Sequence, residues 1–159
     1  MDIAFEEAEE ALKESEVPVG CAVFYEGECV ARAHNLTNAL KNPLAHAEML
    51  CLKQIPKEIF PDLEIFVTCE PCIMCMSVLL KIKVKSITFG CINPRFGGVF
   101  LHNTQKILNL TTKIRQEQAD RSVSLLKSFY TLENPQAPPE KRKNKSNRTR
   151  KIFNGPRAT

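Results

Sequence analysis

Two cysteines and one histidine in this chain have the types and the spacing of a metal site. Cys72 and Cys75 stand three residues apart, so on a helix their thiolates are neighbours on one face. The positive end of a helix lowers the pKa of thiols in its first turn, which makes them available to a cation. Together with the imidazole of His46, these soft sulfur ligands suit Zn²⁺. Three protein ligands leave a fourth position for water, which is the catalytic form of a zinc site.

Glu48 is the residue that would transfer protons at this site. It follows His46 by two residues, and side chains at that spacing on a helix point about 200° apart. His46 and Glu48 can therefore converge only if their helix presents its N-terminal edge to the metal. A carboxylate at the open position can take a proton from water and return it to a leaving group. The residues thus predict a zinc-dependent hydrolytic enzyme with Glu48 as its catalytic residue.

The remaining cysteines allow one alternative to a zinc site. The spacing Cys69-x-x-Cys72-x-x-Cys75 is also similar to part of an iron–sulfur motif. That interpretation requires a fourth cysteine near position 79, where the sequence has Leu79. We expect Cys69 to be a core thiol at the end of a strand. The other four are expected to be small buried apolar residues: Cys21, Cys29, Cys51 and Cys91.

The elements that must position these residues can be predicted from periodicity and from turn residues. Helices are expected over 4–15, over 45–54, from Pro71 to about 81, and over 118–132. Strands are expected over 20–25, 28–33, 63–68 and 86–90, with a weak strand near 113–115. A hairpin followed by alternating helices and strands predicts an α/β fold, in which helices cover both faces of a mixed sheet of about five strands.

Length and composition are those of one globular domain. The chain has 159 residues, of which 43% are hydrophobic and 25% charged. Its longest uncharged apolar stretch, 72–80, is far shorter than the roughly 20 residues of a membrane span. The acidic first residues lack the pattern of a secretory signal, and an odd number of cysteines fits a disulfide framework poorly. We therefore expect no membrane partner and a location in the cytoplasm, the nucleus or both.

Positive charge is concentrated at the C-terminus. Residues 1–140 contain 14 Lys and Arg and all 18 Asp and Glu, whereas 141–159 contain 8 Lys and Arg and no acid. We expect a folded domain over 1–139 and a flexible basic tail over 140–159. Such a tail would bind nucleic-acid phosphates with an affinity that falls steeply with salt, and a nuclear-import segment is the alternative. The basic residues concerned are Lys141, Arg142, Lys143, Lys145, Arg148, Arg150 and Lys151.

One pair of motifs identifies a family. Two segments, His46-Ala47-Glu48 and Pro71-Cys72-Ile73-Met74-Cys75, together match H-x-E…P-C-x-x-C, a known signature of zinc-dependent deaminases. The chain thus resembles the cytidine/deoxycytidylate deaminase superfamily, which implies a three-layer α-β-α fold. Over residues 3–140 it also resembles tRNA adenosine deaminases, above all the catalytic subunits of the heterodimeric eukaryotic enzymes. The segments that carry this resemblance are 16–21, Asn35, 46–49, 67–75, 95–98 and 125–138.

The resemblance implies a reaction, a substrate and a partner. Zinc-activated water would attack C6 of adenine at the wobble position of a tRNA anticodon loop, Glu48 would shuttle the protons, and inosine and ammonia would result. The residues implied to bind the substrate are Asn35, Gly20, Cys21, Ala47, Pro71 and Tyr130. Arg95 and Phe96 would join the basic tail in binding RNA. The partner implied is a paralogous non-catalytic subunit with a deaminase fold, contacted in part through the 95–98 loop.

Some alternatives stay open at the level of sequence. A small-molecule purine or pyrimidine deaminase would release ammonia from a free base or nucleotide without RNA. The second alternative is a non-catalytic RNA-binding subunit with structural zinc. Two features of the sequence argue against it: Glu48 is present, and no fourth metal ligand is evident. Asn35 could simply cap the end of a strand. Of the neighbours Phe129 and Tyr130, which could stack on anticodon bases, we expect one to lie in the core.

Overall fold

The computed structural model describes residues 1–99 and 112–131, which contain four helices and five strands. The helices are α1 (Asp2–Lys13), α2 (Ala47–Leu52), α3 (Ile73–Lys81) and α4 (Ala119–Thr131). The strands are β1 (Gly20–Tyr25), β2 (Glu28–His34), β3 (Glu64–Cys69), β4 (Ser86–Cys91) and β5 (Lys113–Gln116). A short 3₁₀ helix over Lys57–Asp62 was not predicted. No helix in these two ranges is long and apolar enough to span a membrane.

The five strands form one mixed sheet in the order β2-β1-β3-β4-β5. β1 pairs antiparallel with β2 and β3, whereas β3, β4 and β5 run parallel to one another. Parallel strands end at the same edge, so Cys69 at the end of β3 pairs with Cys91 at the end of β4. The chain leaves β3 at this edge and reaches Cys72 three residues later. The predicted mixed sheet, with its weak fifth strand, is confirmed.

Helices cover both faces of this sheet. Under α2 and α3 lies the main core, in which Leu79 of α3 and Val67 of β3 belong to one cluster of buried apolar side chains. The other face is covered by α1 and α4. There Gly20 lies so close to α1 that a Cβ atom would overlap backbone atoms of Ala4 and Ala8. The predicted three-layer α-β-α arrangement is confirmed.

The predicted start of the third helix is wrong. Pro71 is not its first residue, because α3 begins at Ile73 and Cys72 before it is extended. The Pro71 carbonyl accepts the N–H of Gly98 from a later loop rather than one from the helix that follows. Cys72 and Cys75 are therefore not on one helical face. Cys72 precedes the helix and Cys75 lies in its first turn.

The expected burial of the outlying cysteines is wrong at one position. Cys29 is exposed, because it lies on the edge strand β2 beyond a β-bulge in the pairing with β1, where that strand faces solvent. Burial is confirmed for Cys21, Cys51 and Cys91, and Cys69 is half-buried at the end of β3.

A histidine between two acids ties the end of β2 to α1. His34 Nδ1 lies 2.8 Å from a carboxylate oxygen of Glu7, and its Nε2 lies 3.2 Å from one of Glu14. Burial lowers the pKa of His34, but the hydrogen bonds to the two carboxylates outweigh it, so its pKa is raised above the usual value. Because His34 immediately precedes Asn35, these contacts also fix the strand end from which Asn35 projects.

We expect His34→Gln to destabilise the protein in a pH-dependent way. A raised folded-state pKa means that the stabilisation is fully present below the unfolded pKa of about 6.5 and is lost as the pH rises through the folded value. At pH 6 the melting temperature should fall by about 2–4 °C, the shift that about 1 kcal/mol produces in a chain of this size. At pH 9 the fall should be smaller. Equal shifts at the two pH values would show that the charge of His34 contributes nothing.

Candidate active site

Two helix N-termini bring the predicted metal ligands together. His46 is the residue before α2 and Cys72 the residue before α3, and both have extended backbone conformations, with ψ of 151° and 166°. Cys75 follows in the first turn of α3 and is fully buried. Both helices therefore approach the site with their N-terminal ends. This is the arrangement that His46 and Glu48 need in order to converge.

The three ligand atoms have the spacing of a zinc tetrahedron. His46 Nδ1 lies 3.6 Å from the Sγ atom of Cys72 and 3.6 Å from that of Cys75, and all three atoms lie within 4.8 Å of one another. With Zn–S near 2.3 Å and Zn–N near 2.0 Å, a tetrahedral angle separates S from N by roughly 3.6 Å. Among the described residues no other group of three His, Cys, Asp or Glu side chains has such a spacing, and Cys69 is outside this group. The donor set fits Zn²⁺ with one position left for a non-protein ligand.

Neither His46 nor Cys72 caps its own helix. Side chains at these positions normally accept a hydrogen bond from the first turn, but these two residues, both in the described part of the chain, make no such bond. Instead, Asn35 Oδ1 accepts the first N–H of α2 at 2.9 Å, and the Phe96 carbonyl accepts the first N–H of α3 at 2.8 Å. The imidazole and the thiol thus stay available to a cation, while the helix ends are still hydrogen-bonded.

The two thiols of the site are close enough to shift each other's pKa. The hydrogen bond from Cys75 lowers the pKa of Cys72 to about 4, although burial opposes this shift. Donation of that bond, together with burial, raises the pKa of Cys75. The hydrogen bond with Cys72 also raises the pKa of His46, against the effect of burial. A cation would deprotonate the second thiol as well, because a coordinating thiol loses its proton outright.

Glu48 lies inside this site rather than on the outer surface of its helix. It is the second residue of α2, and only 4% of it is exposed. Its carboxyl group lies close enough to the Cys75 side chain for each group to shift the pKa of the other. Burial raises the pKa of Glu48, and the neighbouring His46 counteracts part of that effect. A buried carboxyl group with a raised pKa, beside an open metal position, is suited to act as a general acid and base.

The loop over 93–99 packs on the turn that carries Cys72. The Gly98 N–H donates to the Pro71 carbonyl at 2.9 Å, and Cys72 and Gly97 form an isolated β-bridge. Together with the Phe96 carbonyl that caps α3, these contacts hold the backbone around the metal ligand in place.

Two buried acids that the sequence analysis did not single out organise the loops beside the site. Glu70 is 7% exposed and accepts backbone N–H groups from both ends of the 93–99 loop. Glu16 is 1% exposed and accepts the N–H groups of Asn38 at 2.8 Å and Ala39 at 2.7 Å, in the segment that leads to His46. In the sequence, Glu70 stands between an apolar strand and the metal motif, where side chains are expected to be buried. A buried acid needs partners, and this was the one signal that could have identified Glu70.

Four of the predicted substrate-binding residues lie at or next to the metal site. Asn35 and Ala47 are joined by the hydrogen bond that caps α2, so Asn35 does act as a cap, on the helix rather than on its own strand. Cys21 is fully buried, with Glu48 among the charged groups around it. Pro71 is buried immediately before Cys72.

For Gly20 and Tyr130 the structure shows contacts with other parts of the protein. The position of Gly20 is explained by the close packing of α1, and its N–H donates to Thr68 Oγ1 at 3.1 Å. Tyr130 lies eight residues, or about 12 Å of helix, beyond Ser122, which packs against the strand end at Gly90. Tyr130 is 39% exposed and contacts the less exposed Phe129 edge-to-face, with ring centroids 5.4 Å apart.

The predicted RNA-binding residues are only partly described. Arg95 and Phe96 are exposed on the loop beside Cys72, and the Arg95 guanidinium lies 5.1 Å from the centroid of the Phe96 ring. The basic tail lies outside the described residues, so its binding of RNA stays a prediction.

Known proteins are similar to this chain in sequence and in fold. Residues 1–91 match a family model described as the cytidine and deoxycytidylate deaminase zinc-binding region. The chain is 37% identical to tRNA-specific adenosine deaminase 2 of Xenopus tropicalis, over 89% of this chain and 92% of that protein. It is 35% identical to a subunit of the tRNA-specific adenosine deaminase of Schizosaccharomyces pombe, over 87% of this chain and 38% of that protein.

A solved structure from studies of A-to-I editing by tRNA:A34 deaminases at the wobble position of transfer RNA is also similar. It superimposes with a TM-score of 0.72 and 25% identity, over 79% of this chain and 97% of that chain. The region matched by the family model includes all three metal ligands and Glu48. This chain therefore belongs to the cytidine and deoxycytidylate deaminase family, within which it is similar to the tRNA-specific adenosine deaminases.

Proposed function

We propose that this chain deaminates adenosine to inosine at the wobble position of tRNA anticodons. The observation that carries the proposal is the open three-ligand site, in which a fourth side chain, the buried Glu48, lies beside the metal position instead of closing it. The choice of tRNA as substrate is supported by relatives that match most of this chain and are named tRNA-specific adenosine deaminases.

The residues of the site divide the chemistry between them. When bound by His46, Cys72 and Cys75, zinc supplies the electrostatic activation that lets water act as a nucleophile near neutral pH. Glu48 accepts one proton from that water and passes it to the ring nitrogen next to C6 of adenine. It then carries the remaining proton, from the new hydroxyl group on C6, to the departing amine. The raised pKa of Glu48 suits a group that must both accept and return a proton. Water is consumed and ammonia leaves, so the reaction balances without a further reactant.

The side-chain amide of Asn35 is suited to orient a nucleotide. Its Oδ1 accepts the first N–H of α2, so we expect a contact between this side chain and the substrate to use the Nδ2 donor. A donor at this position would bind an acceptor of the flipped-out nucleotide, such as a ribose oxygen. The same side chain would then set the position of His46 and of the substrate.

A paralogous non-catalytic subunit with a deaminase fold is the proposed partner. Beside Cys72 the chain exposes three large apolar side chains: Ile73 at 45%, Ile92 at 58% and Phe96 at 55%. Ile73 and Phe96 are neighbours, since the Phe96 carbonyl accepts the Ile73 N–H. Neighbouring exposed apolar residues are typical of protein–protein contacts. The relative from Schizosaccharomyces pombe is itself named as a subunit, which also supports an assembly.

A substrate comparison on protein purified from its native cell tests the proposed function. Inosine and ammonia should form with an anticodon stem-loop that has adenosine at the wobble position, and not with the same stem-loop carrying guanosine there. Free adenosine, cytidine, deoxycytidylate and guanine should release no ammonia at comparable rates. Faster release from a free base or nucleotide would replace the proposal by small-molecule deamination. Bound RNA with no release from any substrate would indicate a non-catalytic subunit.

Removal of 141–159 should weaken tRNA binding and flatten its dependence on salt. The tail carries 8 basic residues, whereas 1–140 contain more acids than bases, so the tail should supply most of the phosphate contacts. Loss of about five such contacts would reduce the slope of log affinity against log salt by about 3–5. Dissociation constants for tRNA measured at 50 and 200 mM salt, for the full and the shortened chain, give this slope. Equal slopes would assign the tail another role, such as nuclear import.

A further inference from the structure

The carboxylate of Glu70 is buried two residues before a metal ligand, yet it has no part in the chemistry described above. Within residues 1–99 and 112–131 it is not one of the side chains that could hold the metal. A buried carboxylate must be stabilised by partners. Here they are backbone N–H groups: Asn93 donates to Oε2 at 2.8 Å, and Val99 donates to Oε1 at 2.9 Å. Glu70 thus joins the two ends of the 93–99 loop.

This loop closes tightly around the carboxylate. The Gly97 N–H donates to the Asn93 carbonyl at 2.8 Å, which turns the chain back on itself. A Cβ atom at Gly97 would overlap the Glu70 carboxylate, so any other residue there would displace the carboxylate from its place beside the loop. The path of the loop therefore depends on the Glu70 side chain, and a change in one must move the other.

The same loop holds the backbone on both sides of Cys72. The Phe96 carbonyl accepts the N–H of Ile73 at 2.8 Å, and the Pro71 carbonyl accepts the N–H of Gly98 at 2.9 Å. The loop thereby caps α3, a role that the side chain of the residue before a helix usually takes. The thiol of Cys72 is left free for the metal, in a position that the loop determines.

We propose that Glu70 is a positioning residue for the metal centre, because it fixes the 93–99 loop and the loop fixes the sulfur of Cys72. The inference rests on the zinc site of the proposed function and not on the substrate, so metal affinity tests it separately from deamination. Groups that orient metal ligands without touching the metal typically change metal affinity by about 10–100-fold when they are removed.

Zinc affinity and a cobalt spectrum give the two readouts. Glu70→Ala should raise the zinc dissociation constant about 10–100-fold in competition with a chromogenic chelator, and Glu70→Gln, which keeps one acceptor oxygen, should raise it less. With Co²⁺ in place of zinc, the absorption bands of thiolate-bound cobalt should shift or weaken. Thr112→Val is the control for general destabilisation. It removes the 2.7 Å hydrogen bond to the Val84 carbonyl before the start of β4, away from the metal edge, and should change neither readout.

Gly97→Ala tests the contact from the other side. Alone it should weaken zinc binding, because the added methyl group overlaps the carboxylate. Combined with Glu70→Ala it should have a smaller effect, since the space is then empty, and the two changes should be less than additive. If Glu70→Ala fails to fold, Gly97→Ala and Glu70→Gln decide the question with the same readouts.

Unchanged zinc affinity and cobalt spectra in these variants would overturn the proposal. So would additive effects of the two changes, or an equal loss of affinity in Thr112→Val. If the variants show these changes in metal binding but the wild type deaminates no tRNA, the result counts against the proposed function and leaves the role of Glu70 intact.

Discussion

Glu48→Gln should bind zinc as the wild type does and form inosine more slowly by a factor of about 10²–10⁴, the usual contribution of a general acid and base. The amide has nearly the shape of the carboxyl group, so the packing of this 4% exposed side chain should change little. It cannot accept and return a proton, however. Single-turnover measurement of inosine in an anticodon stem-loop, with zinc analysis of the same sample, separates the loss of proton transfer from the loss of metal.

A matched control for this change is Glu58→Gln, an exposed glutamate in the first turn of the 3₁₀ helix. It removes the same charge without touching the site and should leave turnover within about twofold of the wild type, as surface changes usually do. A rate for Glu48→Gln within about threefold of that control would remove Glu48 from the mechanism and leave proton transfer to water alone.

Cys75→Ser should abolish both zinc retention and turnover, and it should destabilise the protein. The variant replaces a fully buried sulfur ligand by a poor ligand for zinc. A metal that binds only the folded chain, present at about 1,000 times its dissociation constant, contributes about 4 kcal/mol. Loss of that contribution corresponds to a fall of roughly 10 °C in melting temperature for a chain of this size. Removal of zinc from the wild type with a strong chelator should produce a similar fall.

Cys29→Ser is the control for this second change, because Cys29 is exposed on the edge strand and lies outside the metal cluster. It should keep its zinc, its melting temperature and its turnover. A Cys75→Ser variant that retains one zinc per chain through gel filtration would contradict the assignment of Cys75 as a ligand.

The identity of the ligands could be predicted from sequence because their chemistry is local. His46, Glu48, Cys72 and Cys75 occur within two short motifs, and each motif opens a helix. The sheet could be predicted for a similar reason, since strands bounded by turns leave a clear pattern. The β5 strand, Lys113–Gln116, was weak in the sequence and forms because β4 offers it a parallel edge.

The supports of the site could not be predicted, because they act through backbone atoms that are distant in sequence. Glu70 accepts hydrogen bonds from backbone N–H groups that lie 23 and 29 residues later in the chain. The sequence around β3 does not indicate those partners. The start of α3 was misplaced for the same reason. Pro71 has the preference of a first helical residue, but its carbonyl is already bonded to Gly98, and the helix begins two residues later.

For Asn35, the sequence indicated a functional residue but not the structural contact that it makes. Its place at the end of β2 and the family resemblance both suggested a contact with the nucleotide. The structure adds that its Oδ1 accepts the first N–H of α2, which fixes the residue directly after His46. The hydrogen bond crosses 12 residues of chain, and only the folded protein shows it.

The number of sulfur atoms around the metal tests the central claim most directly, namely that zinc is held by three side chains with one position open beside Glu48. X-ray absorption spectroscopy of the purified zinc protein should show two sulfur atoms at about 2.3 Å and two nitrogen or oxygen atoms at about 2.0–2.1 Å. The spectrum should be the same in Cys69→Ser, since Cys69 is outside the metal cluster. Three or four sulfur neighbours would mean that further cysteines close the site, and a closed zinc site could not carry out the proposed reaction.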